Sequence, residues 1–298
     1  MPRNRWEFNP EAFFSDRRTK IIWKDANGRV WHLSGYGQGR EGAELSPEPS
    51  GMYQLDMEML WTESARQDGA SYEGHVIQRR EIDWGISIAG SNIRDYHLIN
   101  NKWWDGWDPD NPGVLMFFTP ETGWRWAEAR YVGNVEPKWG KDPALIKACD
   151  YDMTLSIDGS VYTSAKEFGH WRNTAGGASG SGHLIIQNPG HQTVFPTYTM
   201  PGPGTYSISD GEGGEMIPLP KVKAGQTLKV YTHNKNLVCR IYDPTTGLDG
   251  RTAWTGFGTK RFRTGLGKGI HKIKVSVTGG NVNSQVFAEL KPRYFRPF

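Results

Sequence analysis

Lys20-Ile-Ile-Trp-Lys-Asp-Ala-Asn-Gly-Arg-Val-Trp-His-Leu33 decides the fold class of the first half of the chain. β-Branched and aromatic residues flank Asn27-Gly28, a pair able to adopt the positive φ of a tight turn, so the stretch reads as a hairpin. The same signature recurs downstream. Ile82, Trp84, Ile86 and Ile88 alternate with Asp83, Gly85 and Ser87, which buries one face of a strand and leaves the other small or wet. Met153, Leu155 and Ile157 repeat the alternation before an Asp158-Gly159 turn. Residues 113–119 and 124–131 make a further strand pair around Pro120-Glu-Thr-Gly123. The one helix expected is short, around Pro10-Glu-Ala-Phe-Phe-Ser-Asp16, because no long stretch keeps a helical period.

The second half is more regular. Short apolar runs at 183–187, 196–200, 205–208, 226–233 and 237–242 are each bounded by Gly, Pro, Asn or Asp. His271, Ile273, Val275 and Val277 share one parity, as do Val286, Ala288 and Leu290, and Gly279-Gly280-Asn281 between them predicts a final hairpin. Many short strands with frequent turn signals make the chain all-β, a sandwich or barrel architecture.

At 298 residues the chain is long enough for two cores. A boundary is marked by composition. Residues 1–182 carry 20 Lys+Arg against 26 Asp+Glu, a balance of −6, whereas 183–298 carry 15 against 6, a balance of +9. Twelve of the 13 Trp precede residue 183. The join, Asn173-Thr-Ala-Gly-Gly-Ala-Ser-Gly-Ser-Gly182, has the composition of a flexible linker. The expected domains are therefore 1–172, a linker at 173–182, and 183–298.

Several classes fall away. Hydrophobic residues at 37% supply enough apolar surface for packed cores, which argues against disorder. No apolar run approaches the roughly 18 residues of a membrane helix, so no membrane insertion is expected. The opening Met1-Pro-Arg-Asn-Arg-Trp-Glu-Phe8 lacks an apolar signal core. Cys149 and Cys239 stand far apart in strand-like contexts, as expected of packed, reduced thiols. A soluble protein made in a reducing compartment is the expectation.

Catalytic patterns are absent or unsupported by context. Gly37-Gln-Gly-Arg-Glu-Gly42 matches a dinucleotide fingerprint in spacing, but Ala43-Glu-Leu-Ser-Pro-Glu-Pro-Ser-Gly51 follows, with two prolines where a phosphate-binding helix must begin. The eight His show no metal spacing, and His32, His170, His183 and His271 are expected in structural roles. Trp103-Trp-Asp-Gly-Trp-Asp-Pro-Asp-Asn-Pro-Gly113 clusters Asp105, Asp108 and Asp110 beside aromatics. Such a cluster suits a glycosidase, a calcium loop, or a surface turn capped by its own carboxylates. Trp103, Trp104 and Trp107, read as loop residues, are candidates for a subunit interface or for the core beneath a folded-back loop. Lys260-Arg-Phe-Arg263 is expected on a solvated strand face rather than at nucleic acid. No catalytic residue, cofactor or metal is expected.

Order and spacing of motifs carry a family resemblance. Gly182-His-Leu-Ile-Ile-Gln-Asn-Pro-Gly190 is followed by Val194-Phe-Pro-Thr-Tyr-Thr-Met-Pro-Gly-Pro-Gly-Thr205, Leu219-Pro, Ala224-Gly-Gln-Thr-Leu-Lys-Val-Tyr-Thr232 and Tyr294-Phe-Arg-Pro297. Upstream stand Ala70, Gly74, the strand at 82–88, the Trp-rich segment at 103–107, Gly113-Val-Leu and Thr119-Pro. The whole resembles the distal tail proteins, or minor tail proteins, of long-tailed phages. That resemblance implies an N-terminal β-sandwich-like module closing into a hexameric ring at the tail tip and a galectin-like C-terminal β-sandwich outside it. It further implies a non-enzymatic virion protein, assembled in the host cytoplasm, that joins the tail tube to the baseplate hub. Its implied partners are copies of itself, the tail tube protein, the tape measure protein and other minor tail proteins, with DNA only in transit. The acidic balance of the first module suits a channel wall that does not trap DNA. The rival classes are a carbohydrate-binding module or glycosidase acting on host surface glycans, and a tail-tube or connector subunit.

Overall fold

The computed structural model describes residues 8–298 apart from Gln54, Asn134, Trp139, Asn234, Thr246, Leu248, Thr255 and Gly256. The chain forms two compact units, one running to Thr163 and including Phe295–Phe298, the other Ser164–Tyr294.

Unit 1 contains α1 (Pro10–Ser15), β1 (Lys20–Lys24), β2 (Val30–Ser34), β3 (Ala43–Leu45), β4 (Met57–Thr62), β5 (Ser71–Ile77) and β6 (Arg80–Ala89). It continues through α2 (Ile93–Trp104), β7 (Gly113–Thr119), β8 (Gly123–Tyr131), β9 (Glu136–Lys138), α3 (Pro143–Ile146), β10 (Ala148–Ile157) and β11 (Tyr162–Thr163). Its main sheet runs β2-β1-β7-β8-β10-β6-β3 with antiparallel neighbours. The alternation read from the sequence sets the register. Ile82 faces Leu155 and Trp84 faces Met153, so both strands direct their apolar residues to one side. The sheet then curls over itself: Trp23 of β1 meets Trp84 of β6 edge to face at 6.2 Å, although three strands separate them along the sheet. Between these walls lie Leu33, Ile86, Leu115, Phe117 and Leu155, all buried. Each such side chain contributes about 1.5–3 kcal/mol of transfer free energy.

Unit 2 contains β12 (Glu167–Arg172), β13 (Gly180–Asn188), β14 (Thr197–Pro201), β15 (Thr205–Ser209), β16 (Met216–Pro218) and β17 (Thr227–Tyr231). Then follow β18 (Val238–Tyr242), β19 (Arg251–Thr252), β20 (Gly269–Thr278), β21 (Gln285–Leu290) and β22 (Arg293–Tyr294). A six-stranded sheet, β12-β21-β14-β17-β18-β19, and a four-stranded sheet, β13-β20-β15-β16, share one core in which Leu184, Tyr206 and Val275 meet Tyr198, Leu228 and Ala288. This is a β-sandwich, and with unit 1 it makes the chain all-β with short helices.

Four expectations change. The unit boundary falls between Thr163 and Ser164 instead of at 173–182. The Gly/Ser-rich stretch joins β12 to β13 inside the sandwich, where a Cβ on Gly180 would lie 2.1 Å from Asn173 Oδ1 and one on Gly182 2.4 Å from Trp171 Nε1. Its glycines serve close packing. Gly279-Gly280-Asn281 makes no hairpin, because β20 and β21 belong to different sheets and the turn carries the chain between them. Residues 260–263 lie outside any strand, with Phe262 buried in the core and the Arg261 guanidinium over the Trp254 and Phe257 rings at 5.7 Å. Finally, α2 is a helix of 12 residues where none was expected. The charge contrast survives the corrected boundary: unit 1 holds 19 basic and 25 acidic residues, net −6, and unit 2 holds 16 and 7, net +9.

Candidate assembly surface

The tryptophan segment resolves into a helix end. Asn92 caps α2 by accepting from the Asp95 amide at 2.9 Å, and Asp95 reaches back to accept from the Ser91 amide at 2.9 Å. Tyr96, Ile99 and Trp103 then fall on one buried face. Trp103 is 1% exposed and edge-on to Trp31 at 5.2 Å, Trp107 stacks on Trp23 at 4.6 Å, and half-buried Trp104 meets Tyr151 at 5.1 Å. The three tryptophans are brought together, and their packing in this chain is intramolecular. Gly113 permits it, since a Cβ there would lie 2.2 Å from the Trp23 ring.

Of the neighbouring carboxylates, that of Asp108 is occupied in a turn. Asp108 accepts from the amides of Asp110 and Asn111 at 2.8 and 3.2 Å and from the Asn111 side chain at 2.8 Å. These bonds, the Asn111 side chain first, hold its carboxyl below the usual carboxylate range. An acid of a glycosidase pair needs the opposite shift. The glycine-rich loop 37–42 likewise opens no helix; it leads into β3, and Glu41 within it accepts from the backbone amide of His32 at 2.9 Å and lies 3.0 Å from its Nδ1.

What unit 1 does present is a bare hairpin. Among the described residues, β4 and β5 pair only with each other. Every residue of β4 is exposed, and β5 has only Gly74 and Ile77 half-covered. A register shift after Leu60 pairs Trp61 with Tyr72, whose hydroxyl lies 2.9 Å from His75 Nδ1, so both rings share a face with Met59, while Leu60 and Val76 point the other way. Trp61, 58% exposed, sits edge-on to Tyr72 at 5.3 Å, and Met57, Met59, Leu60 and Val76 are each more than one-third exposed. A two-stranded ribbon alone in water is marginal, so one bearing this much apolar surface is built to be covered. Its charged residues, Glu58, Glu63, Arg66, Asp68 and Glu73, leave it acidic.

The root of the hairpin is clamped. Arg80, the first residue of β6, is 1% exposed. Its guanidinium donates to the Ser160 and Gly51 carbonyls at 3.1 Å, to Met52 O, and to Phe295 O at 2.6 Å, and it stacks over the Tyr162 ring at 4.9 Å. One buried cation thereby gathers three backbone segments where the hairpin leaves the body. A groove of about 700 Å³ opens beside it, lined by Leu55, Met57, Met59 and Arg79 among others. Sequence reasoning passed over this hairpin, although Asp68-Gly69 between two β-prone runs was the signal, and Gly69 takes φ +82° there.

No family profile matches this sequence, and no curated protein does either. Solved structures do share the fold. The Dit protein (gp 19.1) of phage SPP1, described as a paradigm of the hub adsorption apparatus in phages infecting Gram-positive hosts, aligns with a TM-score of 0.63 at 11% identity, over 92% of this chain and 98% of that one. A chain of the phage P2 baseplate in its activated, calcium-containing conformation aligns with a TM-score of 0.53 at 11% identity, over 94% and 99%. The strontium form gives 0.53 at 12% identity with the same coverage. The fold of this chain is therefore shared, over nearly its whole length, with these phage hub and baseplate proteins.

Proposed function

We propose that this chain is a structural subunit of a phage tail tip, a distal tail protein whose unit 1 closes with further copies into a ring around the channel through which DNA passes. In this reading the ring is a hexamer that joins the tail tube to the baseplate hub, beside the tape measure protein and other minor tail proteins, as the family resemblance implies. The observation that carries the reading is the bare β4–β5 hairpin, rooted on Arg80 and left exposed by the described residues of its own chain. A ring needs a surface on each copy that meets a different surface on the next, and a rooted hairpin supplies one half of such a contact. The acidic character of unit 1 supports a channel wall: Asp83, Asp150, Asp152 and Glu136 line one groove with Lys138 as its one basic residue. Like charge there keeps phosphates moving.

Light scattering on the eluting full-length protein, followed by negative-stain microscopy, tests this. Rings with a central opening are the expected result. A protein that remains monomeric as concentration rises, or that hydrolyses glycans, refutes it.

A further inference from the structure

The second half of the contact is also on unit 1. The outward side of α2 exposes Ile93, Arg94, His97, Leu98 and Lys102. α3 packs beside it, tied through the Gly90 amide to Lys147 O at 2.9 Å, and exposes Leu145 at 70% and Ile146 at 50%. Aliphatic side chains this exposed on a one-turn helix have no use in an isolated subunit. Charge separates this shelf from the hairpin. The shelf carries Arg94, Lys102, Lys141 and Lys147 against Asp95 and Asp142, and both aspartates already accept from amides at the helix starts, Asp95 from Ser91 and Asp142 from Ala144. The hairpin carries Glu58, Glu63, Asp68 and Glu73 against Arg66.

We infer that the acidic, aromatic β4–β5 hairpin seats on the basic, aliphatic α2–α3 shelf of a second copy of this chain. The inference rests on the ring reading and names its contact. Each copy offers one hairpin and one shelf, the two differ in sign, and both leave apolar side chains in water until they meet. A heterologous contact of this kind uses every hairpin and every shelf once the ring closes.

Charge reversal in the full-length protein tests it by sedimentation velocity. Glu63→Lys with Glu73→Lys reverses the hairpin; Arg94→Glu with Lys147→Glu reverses the shelf. All four positions are exposed, and unchanged melting confirms folding. Each reversed protein alone is expected to dissociate at roughly tenfold higher concentration or more, since facing charges become alike. Mixing the two in equal amounts restores assembly, because each reversed hairpin then finds a reversed shelf. Rings that tolerate shelf reversal but not hairpin reversal overturn this contact and leave the ring reading standing, as does a mixture that stays apart. A cross-link from His97→Cys to a different tail protein in whole particles also overturns it. A wild-type chain that never self-associates overturns both.

Discussion

Trp103→Ala separates a tryptophan that holds the fold from one that faces a neighbour. Trp103 is 1% exposed, edge-on to Trp31 at 5.2 Å and to Trp107 at 5.5 Å. Its Nε1 has no acceptor among the described residues, so truncation removes packing and no hydrogen bond. Large-to-small changes of this kind cost about 3–5 kcal/mol, of which each aromatic pair supplies about 0.5–1.5 kcal/mol. For a unit of this size each kcal/mol lowers Tm by about 2–4 °C, so the expected fall is roughly 10 °C. Tryptophan emission follows it selectively, because 11 of the 13 tryptophans lie in unit 1. Trp103→Phe keeps an edge-to-face partner and discards the unpaired N–H, and should recover most of the loss. Trp61→Ser, at a side chain 58% exposed, should move Tm by less than about 1 kcal/mol in equivalent stability while weakening self-association. The reasoning fails if Trp103→Ala melts normally but no longer assembles, or if Trp61→Ser destabilises the monomer as much as Trp103→Ala.

Two glycines of the same strand pair should respond differently to alanine. At Gly113 a Cβ would lie 2.2 Å from the Trp23 ring, so Gly113→Ala should cost about 3 kcal/mol by overpacking, while Gly123→Ala, at φ +68° with nothing within 4 Å, should cost about 1 kcal/mol; urea midpoints rank them. Truncation after Tyr294 takes Phe295 O from Arg80 and Arg296 O from Arg125, and removes the Phe298 ring from Phe117 and Tyr53. Unit 1 should lose about 2–4 kcal/mol, seen as earlier melting by tryptophan emission, and an unchanged melt would show the tail to be idle. Burial pushes the Glu41 carboxyl up, but the His32 side-chain and backbone bonds together outweigh it and leave it below the ordinary range. A depressed carboxyl stabilises above its unfolded value and ceases to as pH falls through the folded one, so Glu41→Gln should flatten the acid limb of Tm against pH below about 4.3. An acid limb identical to wild type would remove Glu41 from the account.

Strand parity was legible because both partners of a buried pair carry it. Ile82, Trp84, Ile86 and Ile88 on β6 meet Leu155, Met153, Tyr151 and Cys149 on β10, so the same period appears twice in the sequence and once in space. The boundary was not, because glycine has two uses. At 173–182 it admits close approach to Asn173 and Trp171, whereas the real crossing at Thr163-Ser164 passes from β11 into unit 2 with no change of composition. α2 hid for a related reason. Its buried face needs only Tyr96, Ile99 and Trp103, with polar residues between, and the adjacent Trp103-Trp104 pair blurs the period that would have revealed it.

Sequence pattern reports which residues are apolar, not whether a chain holds enough partners to bury them. Trp61, Tyr72 and Val76 look like any strand residues in a row of letters, and so do Trp103 and Trp107. The difference is one of supply: the curled sheet has Trp23 and Trp31 to receive the second pair, and among the described residues no third strand stands beside β4 or β5 to receive the first group. Tryptophan abundance in the first 182 residues therefore has two causes, a core that consumes most of it and a projecting hairpin that keeps Trp61 outside. Only the second needs another molecule. That is why the exposed tryptophan, and not the clustered ones, is where loss of assembly without loss of fold should appear.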